Sequence, residues 1–200
     1  EGYELQVRPG GILIRAATDA GVFYARRTLD QLGAGGDYPC CDIKDSQAFA
    51  IRCFMHDVGR NFRSIETLKA DIDEMARLKL NAFHWHLTDY PAWRIQCKKY
   101  PVLNDPSKRI KGRDVNDTYT YDQIRDLFRY ARKRHIQIIP EIDMPGHSTY
   151  FKNCFGFPMH DPRGIKILEE LLEEFCREIP VEMSPYLHIG ADETVSYTHL

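Results

Sequence analysis

Two hundred residues suffice for one ordinary domain, or for one domain and part of another. Hydrophobic residues make up 43% and charged residues 28%, which excludes a disordered chain and fits a globular one. A net charge of −2 supplies neither a basic field for nucleic acid nor a polybasic membrane patch, and no apolar run approaches the roughly 18 residues of a membrane span.

Residues 3–7 and 11–16 read as two short strands around a Pro9-Gly10-Gly11 turn. Residues 19–32 carry Val22, Phe23, Ala25, Leu29 and Leu32 at helical spacing and stop at Gly33. This strand–turn–strand–helix unit is too small to bury a core alone, so residues 1–45 are expected to be the end of a small α+β domain. Within it, residues 33–45 hold three glycines and a proline and read as a linker.

From there to residue 194 the chain alternates strand and helix. Residues 49–56 are apolar enough for a buried strand, and Ser64 caps a helix reaching about Lys79. Residues 81–87 form the next strand. Thr120 with Gln123 makes a capping box that opens a helix to about Arg134. Residues 136–142 have the near-continuous apolar character of a parallel strand. Asp161-Pro162 opens a helix to about Glu178, and residues 186–191 give a fourth strand. Four such units in succession imply an α/β fold with a parallel sheet, either an open doubly wound sheet or the first half of an eight-stranded barrel. No glycine-rich phosphate loop comes after the first of these strands, which weakens the nucleotide-binding version.

The six cysteines show no CxxC pair and no zinc-ligand spacing; Cys53 and Cys154 are expected to be buried free thiols. The chain begins at Glu1 without methionine or an apolar signal region, so a targeting segment is expected to have been removed or never included.

Each strand runs into polar residues at its C-terminal end: His56, Asp57 and Arg60; His84, His86 and Asp89; Glu141, Asp143 and His147; His188, Asp192 and Glu193. Any one group reads equally well as helix capping or loop pairing, but four in phase favour a site, because barrel strands converge there. An ionised Asp192 raises the pKa of neighbouring Glu193, and a carboxyl kept protonated donates to a leaving-group oxygen. A rival chemistry stays open: His84 and His86, at alternate strand positions, face one side as metal ligands do, and with Asp89, Asp143 and His147 suggest a metal-dependent barrel hydrolase.

Five stretches together resemble the β-N-acetylhexosaminidases of glycoside hydrolase family 20. They are Gly21-Val-Phe-Tyr-Ala-Arg-Arg-Thr-Leu-Asp-Gln-Leu32, Met55-His-Asp-Val-Gly-Arg-Asn-Phe62 and Lys79-Leu-Asn-Ala-Phe-His-Trp-His-Leu-Thr-Asp89, then Ile139-Pro-Glu-Ile-Asp-Met-Pro-Gly-His-Ser148 and His188-Ile-Gly-Ala-Asp-Glu193. The resemblance implies a (β/α)8 TIM barrel, here its first half, and exo-removal of terminal β-linked N-acetylhexosamine, GlcNAc or GalNAc. It also implies a retaining reaction in which the substrate's own acetamido group attacks the anomeric carbon. By position, Glu193 is the general acid and then base, and Asp192 holds the acetamido N–H. Arg60, Asp89 and His147 belong to the terminal-sugar subsite, and His147 also joins Asp143 in a supporting network. His86 and Glu141 are further supports. The resemblance implies a glycan partner, no metal or organic cofactor, and an extracytoplasmic location. A catalytically dead carbohydrate-binding homologue is the alternative from another class.

Three positions depart from the family pattern: Cys53 and Ala191 replace glycines, and Tyr90 replaces a frequent second Asp. Family members continue through four more strands, which carry pocket tryptophans and a tyrosine. The likeness ends near Thr194, and residues 195–200 are expected to be a non-native tail. The chain is therefore expected to be a fragment, inactive alone.

Overall fold

A computed structural model describes residues 1–110, 117–191 and 193. Strands β1 (Tyr3–Arg8) and β2 (Gly11–Ala16) form an antiparallel hairpin in which Tyr3 lies opposite Ala16. Alternation on β1 turns Tyr3, Leu5 and Val7 inward, where they meet Tyr24 and Ala25 of helix α1 (Asp19–Leu32). Thr18 caps that helix by accepting from the Gly21 N–H.

The expected linker is only partly one. Residues Cys41–Asp45 form strand β3, antiparallel to the free edge of β1, with Ile43 packed against the small core. Two charged side chains fasten this unit to the rest: Lys79 Nζ lies 2.9 Å from Asp45 and 2.8 Å from the Tyr3 hydroxyl, and Arg52 reaches Glu1 and Tyr24.

Beyond it, β4 (Cys53–Asp57), β5 (Ala82–His86) and β8 (Gln137–Glu141) make a parallel sheet with β5 in the middle. Helices α2 (Ile65–Arg77), α3 (Tyr121–Arg132) and α5 (Pro162–Glu178) begin at Ser64, Thr120 and Asp161, each side chain accepting a backbone N–H of the first turn. On β5, Phe83 and Trp85 are fully buried in the large apolar core shared with these helices, while His84 and His86 take the opposite face. Period-two alternation thus gives one face of β5 to packing and the other to chemistry.

Two strand expectations need correction. The first strand starts at Cys53, and Phe49 and Ile51, apolar as they are, stand 72% exposed. The fourth, expected over residues 186–191, contributes only a parallel bridge between Glu141 and His188, extended by Met144 N–H donating to Ile189 O. Gly190 at φ +68° and Ala191 at φ +73° turn the chain out of extended geometry there. Short elements absent from the sequence reading are the hairpin β6 (Thr88–Asp89) with β7 (Ala92–Trp93), and helix α4 (Thr149–Phe155). Of the thiols, Cys53 is exposed and Cys154 half-buried; the buried one is Cys97. Among the described residues no helix is long and apolar enough to cross a membrane.

Candidate functional site

The polar residues at the C-terminal ends of the parallel strands do meet. After β4 the chain turns through Val58-Gly59, whose N–H groups both donate to His86 O. A Cβ on Gly59 would lie 2.8 Å from the Cβ and the backbone nitrogen of Asp89, so only glycine lets this turn settle against β6. The turn presents Arg60, held by its own strand end: its N–H donates to Asp57 Oδ1 at 2.9 Å, and Nη1 donates to Asp57 Oδ2 at 2.6 Å.

Asp89, on β6, is the centre of the cluster and is 0% exposed. Its Oδ2 lies 2.9 Å from Arg60 Nη1 and 2.8 Å from His86 Nε2. Its Oδ1 accepts the Tyr90 N–H at 2.5 Å and lies 3.5 Å from His147 Nδ1. Tyr90, which stands where a second acidic residue is frequent, therefore meets Asp89 through its backbone.

Behind Asp89, His86 Nδ1 is 2.6 Å from Glu141 Oε2, which also takes His84 Nε2 at 2.6 Å. Burial opposes a charged His86, but hydrogen bonds to Asp89 and Glu141 outweigh it and push its pKa up to about 10. Burial likewise opposes an ionised Glu141, and the bonds from His84 and His86 outweigh it, holding that carboxyl well below the usual range. His86 is thus an imidazolium between two carboxylates.

In front of Asp89, His147 sits at φ +48° after the Pro145-Gly146 turn, and its Nε2 lies 3.3 Å from Glu193 Oε2. Glu193 is at φ +54°, and its side chain is 63% exposed. Its approach is shaped by Asp143, which is fully buried, donates its N–H to Thr88 Oγ1, and accepts the Ala191 N–H at 3.2 Å. A Cβ on Gly190 would fall 1.9 Å from Asp143 Oδ1, and Gly190 is left-handed as well, so glycine is required twice over. Left-handed backbone at His147, Ala191 and Glu193 concentrates strain around one spot, as functional sites do.

Of the sequence-predicted residues, Arg60, His86, Asp89, Glu141, Asp143, His147 and Glu193 are therefore brought into one connected cluster. Asp192, like residues 194–200, lies outside the described residues. Asp57 joins the cluster as Arg60's partner; its spacing of three from Arg60 was the available signal. Thr88 also joins, and nothing local in the sequence marks it.

Among the described residues, three groups of ligand atoms, each within 4.8 Å of one another, could hold a metal ion: His84, Glu141 and His188; Asp57, His86 and Asp89; Asp89, Asp143 and His147. The second group fits poorly, because both nitrogens of a protonated His86 are committed to carboxylates and it has no lone pair to give. In the first, His188 Nδ1 accepts the Gly190 N–H at 3.0 Å.

Residues 49–156 match the model of the glycosyl hydrolase family 20 catalytic domain, and residues 1–46 match that family's domain 2. A β-hexosaminidase of Porphyromonas gingivalis is 38% identical over 96% of this chain and 29% of its own length. One from Vibrio furnissii is 33% identical over 96% of the chain and 37% of its own. Among solved structures, the β-N-acetylhexosaminidase of Bacteroides fragilis superposes with a TM-score of 0.85 at 35% identity, over 96% of this chain and 43% of that one. The family 20 exo-β-N-acetylglucosaminidase of Vibrio harveyi, in complex with N-acetylglucosamine, also gives 0.85, at 32% identity and with 96% and 36% covered. The chain thus spans well under half of the relatives it matches. Its parallel βα units are the opening part of a TIM barrel. With the opening part of the barrel, the preceding α+β unit and the strand-end cluster all in place, the chain belongs to glycosyl hydrolase family 20.

Proposed function

We propose that this chain forms the small-domain end and the first half of the catalytic barrel of a longer exo-acting β-N-acetylhexosaminidase. The observation that carries the proposal is the run Asp89–His147–Glu193, in which one histidine faces a buried carboxylate with Nδ1 and an exposed one with Nε2. A histidine so placed orients the second carboxyl and moves charge toward or away from it. That is what a residue acting first as acid and then as base requires.

In the reaction this supports, Arg60 directs its planar donors at hydroxyls of the terminal sugar while Asp57 and Asp89 fix the guanidinium. Asp192 holds the acetamido N–H and turns its carbonyl oxygen toward the anomeric carbon. As that oxygen forms its bond, the glycosidic bond breaks and the Glu193 carboxyl gives its proton to the leaving oxygen. The oxazolinium ring is then opened by water, whose proton returns to Glu193, and configuration at the anomeric carbon is retained. Asp143 holds the Gly190-Ala191 bend that leads to Glu193.

The chain alone is expected to be inactive. Phe54, Met55, Tyr186 and Ile189 are between 43% and 61% exposed on the sheet and its fourth segment, an apolar surface that a finished barrel covers.

The test uses the longer enzyme on an aryl N-acetyl-β-glucosaminide and the matching aryl β-glucoside, with and without EDTA. Turnover of the acetamido substrate alone, indifferent to chelator, is the expected result. Equal turnover of both sugars would overturn the substrate-assisted reaction, and loss with EDTA would favour the metal-dependent alternative. Binding of N-acetylglucosamine without any turnover would identify a carbohydrate-binding homologue.

A further inference from the structure

Arg94 lies directly after β7 and is 0% exposed. Its backbone bridges two segments: its N–H donates to Leu87 O at 3.1 Å, and its carbonyl accepts the Tyr119 N–H at 2.7 Å. The guanidinium lies within the protein. Nε donates to Val58 O at 2.9 Å and Nη1 to Asp117 O at 3.1 Å.

The carbonyl it holds is telling. Val58 opens the turn that presents Arg60, and Arg94 belongs to the same hairpin that carries Asp89. Turn and hairpin are therefore joined on two levels: at the site by Arg60 to Asp89 at 2.9 Å, and beneath it by Arg94 to Val58. The far end of the turn is gripped as well. Phe62 lies 5.7 Å from the Arg94 guanidinium and stacks on Tyr119 at 4.7 Å, and the Tyr119 hydroxyl donates to Arg63 O at 2.6 Å. Only a planar fork reaches a carbonyl on either side while lying near a ring; a lysine ammonium makes one of these contacts at a time.

We propose that Arg94, assisted by Tyr119, is a positioning residue that fixes the Arg60 turn against the Asp89 hairpin and so sets the affinity of the terminal-sugar subsite. This rests on the proposed reading of Arg60 as a sugar-binding residue. Arg94 is fully buried and acts through the turn that presents Arg60, so its loss weakens ground state and transition state alike.

The experiment uses the longer enzyme, an aryl N-acetyl-β-glucosaminide as substrate and free N-acetylglucosamine as inhibitor. Arg94→Met is expected to raise KM and the inhibition constant about 10-fold with kcat within about 3-fold, the signature of lost uniform binding. Arg94→Lys should fall between that variant and the unsubstituted enzyme. Tyr119→Phe, which deletes only the hydroxyl, should shift both constants about 2-fold in the same direction. Placed on Arg60→Ala, Arg94→Met should add almost nothing, because both act through one contact. Thermal midpoints are recorded for every variant; should Arg94→Met fail to fold, Arg94→Lys and Tyr119→Phe decide. Unchanged constants in folded variants, or a full additive loss on Arg60→Ala, would overturn the inference alone. An unsubstituted enzyme that neither turns over the substrate nor binds N-acetylglucosamine would overturn the functional reading, and the inference with it.

Discussion

Asp89 and Glu193 stand at the two ends of one histidine, yet their surroundings are opposites. Asp89 is fully buried and met by Arg60, His86, the Tyr90 amide and His147; Glu193 is 63% exposed on a left-handed turn. The partners of Asp89 come from the ends of all three strands of the parallel sheet, Arg60 after β4, His86 on β5 and His147 after β8. Glu193 hangs from the fourth segment, whose pairing with β8 has dwindled to a bridge. Under the proposed function, preorganisation of the sugar subsite thus belongs to the first strands of the barrel, and placement of the acid to the strands that complete it.

The largest expected effect breaks the exposed end. Glu193→Gln in the longer enzyme should lower kcat about 10²–10⁴-fold on substrates with poor leaving groups, and far less with a nitrophenyl group that needs no proton. Equal losses on both leaving groups would show that Glu193 is not the acid. At the buried end, Asp89→Asn leaves Arg60 and His86 facing a neutral amide, and should cost about 3–5 kcal/mol in denaturant unfolding.

The charge pairing behind Asp89 fixes a pH dependence. His86 has its pKa raised from 6.5 to about 10, so its contribution to stability is whole below 6.5 and lost as pH rises toward 10. Glu141 is held below its ordinary 4.5, so its contribution is whole above 4.5 and lost as pH falls. Stability should be greatest between 4.5 and 6.5. In His86→Gln the alkaline decline should flatten, which thermal midpoints across pH would reveal; an unaltered decline would refute the imidazolium.

Smaller effects sharpen the comparison at the bend between the two ends. Gly190→Ala places a methyl against Asp143 and should cost about 2–4 kcal/mol. Ala191→Gly relieves a left-handed alanine at φ +73° and should gain about 0.5–1 kcal/mol. A loss on Ala191→Gly would mean that the methyl packs usefully in the complete barrel.

What could be read from the sequence was what is local. The Thr120–Gln123 capping box and the Ser64 and Asp161 caps gave helix starts correctly, because each bond spans two or three residues. Cys41–Asp45 went unread as a strand: its partner β1 lies more than thirty residues earlier, and its alternation is weak. Phe49 and Ile51 misled in the other direction, since apolar character promised a strand that no described neighbour completes. At the site, the polar residues announced themselves at the strand ends, but their pairing did not. His147 faces Asp89 across fifty-eight positions, and nothing local in the sequence marks Arg94 as fully buried.

One property of Asp89 reaches beyond stability. A carboxylate offers about four acceptor sites, and here Arg60, His86 and the Tyr90 amide already take three, with His147 Nδ1 3.5 Å away. In the proposed subsite a sugar hydroxyl that meets Asp89 therefore competes with partners already in place. On that reading selectivity at this position is exerted by proxy: the anion sets how the Arg60 guanidinium is aimed, and the guanidinium meets the substrate.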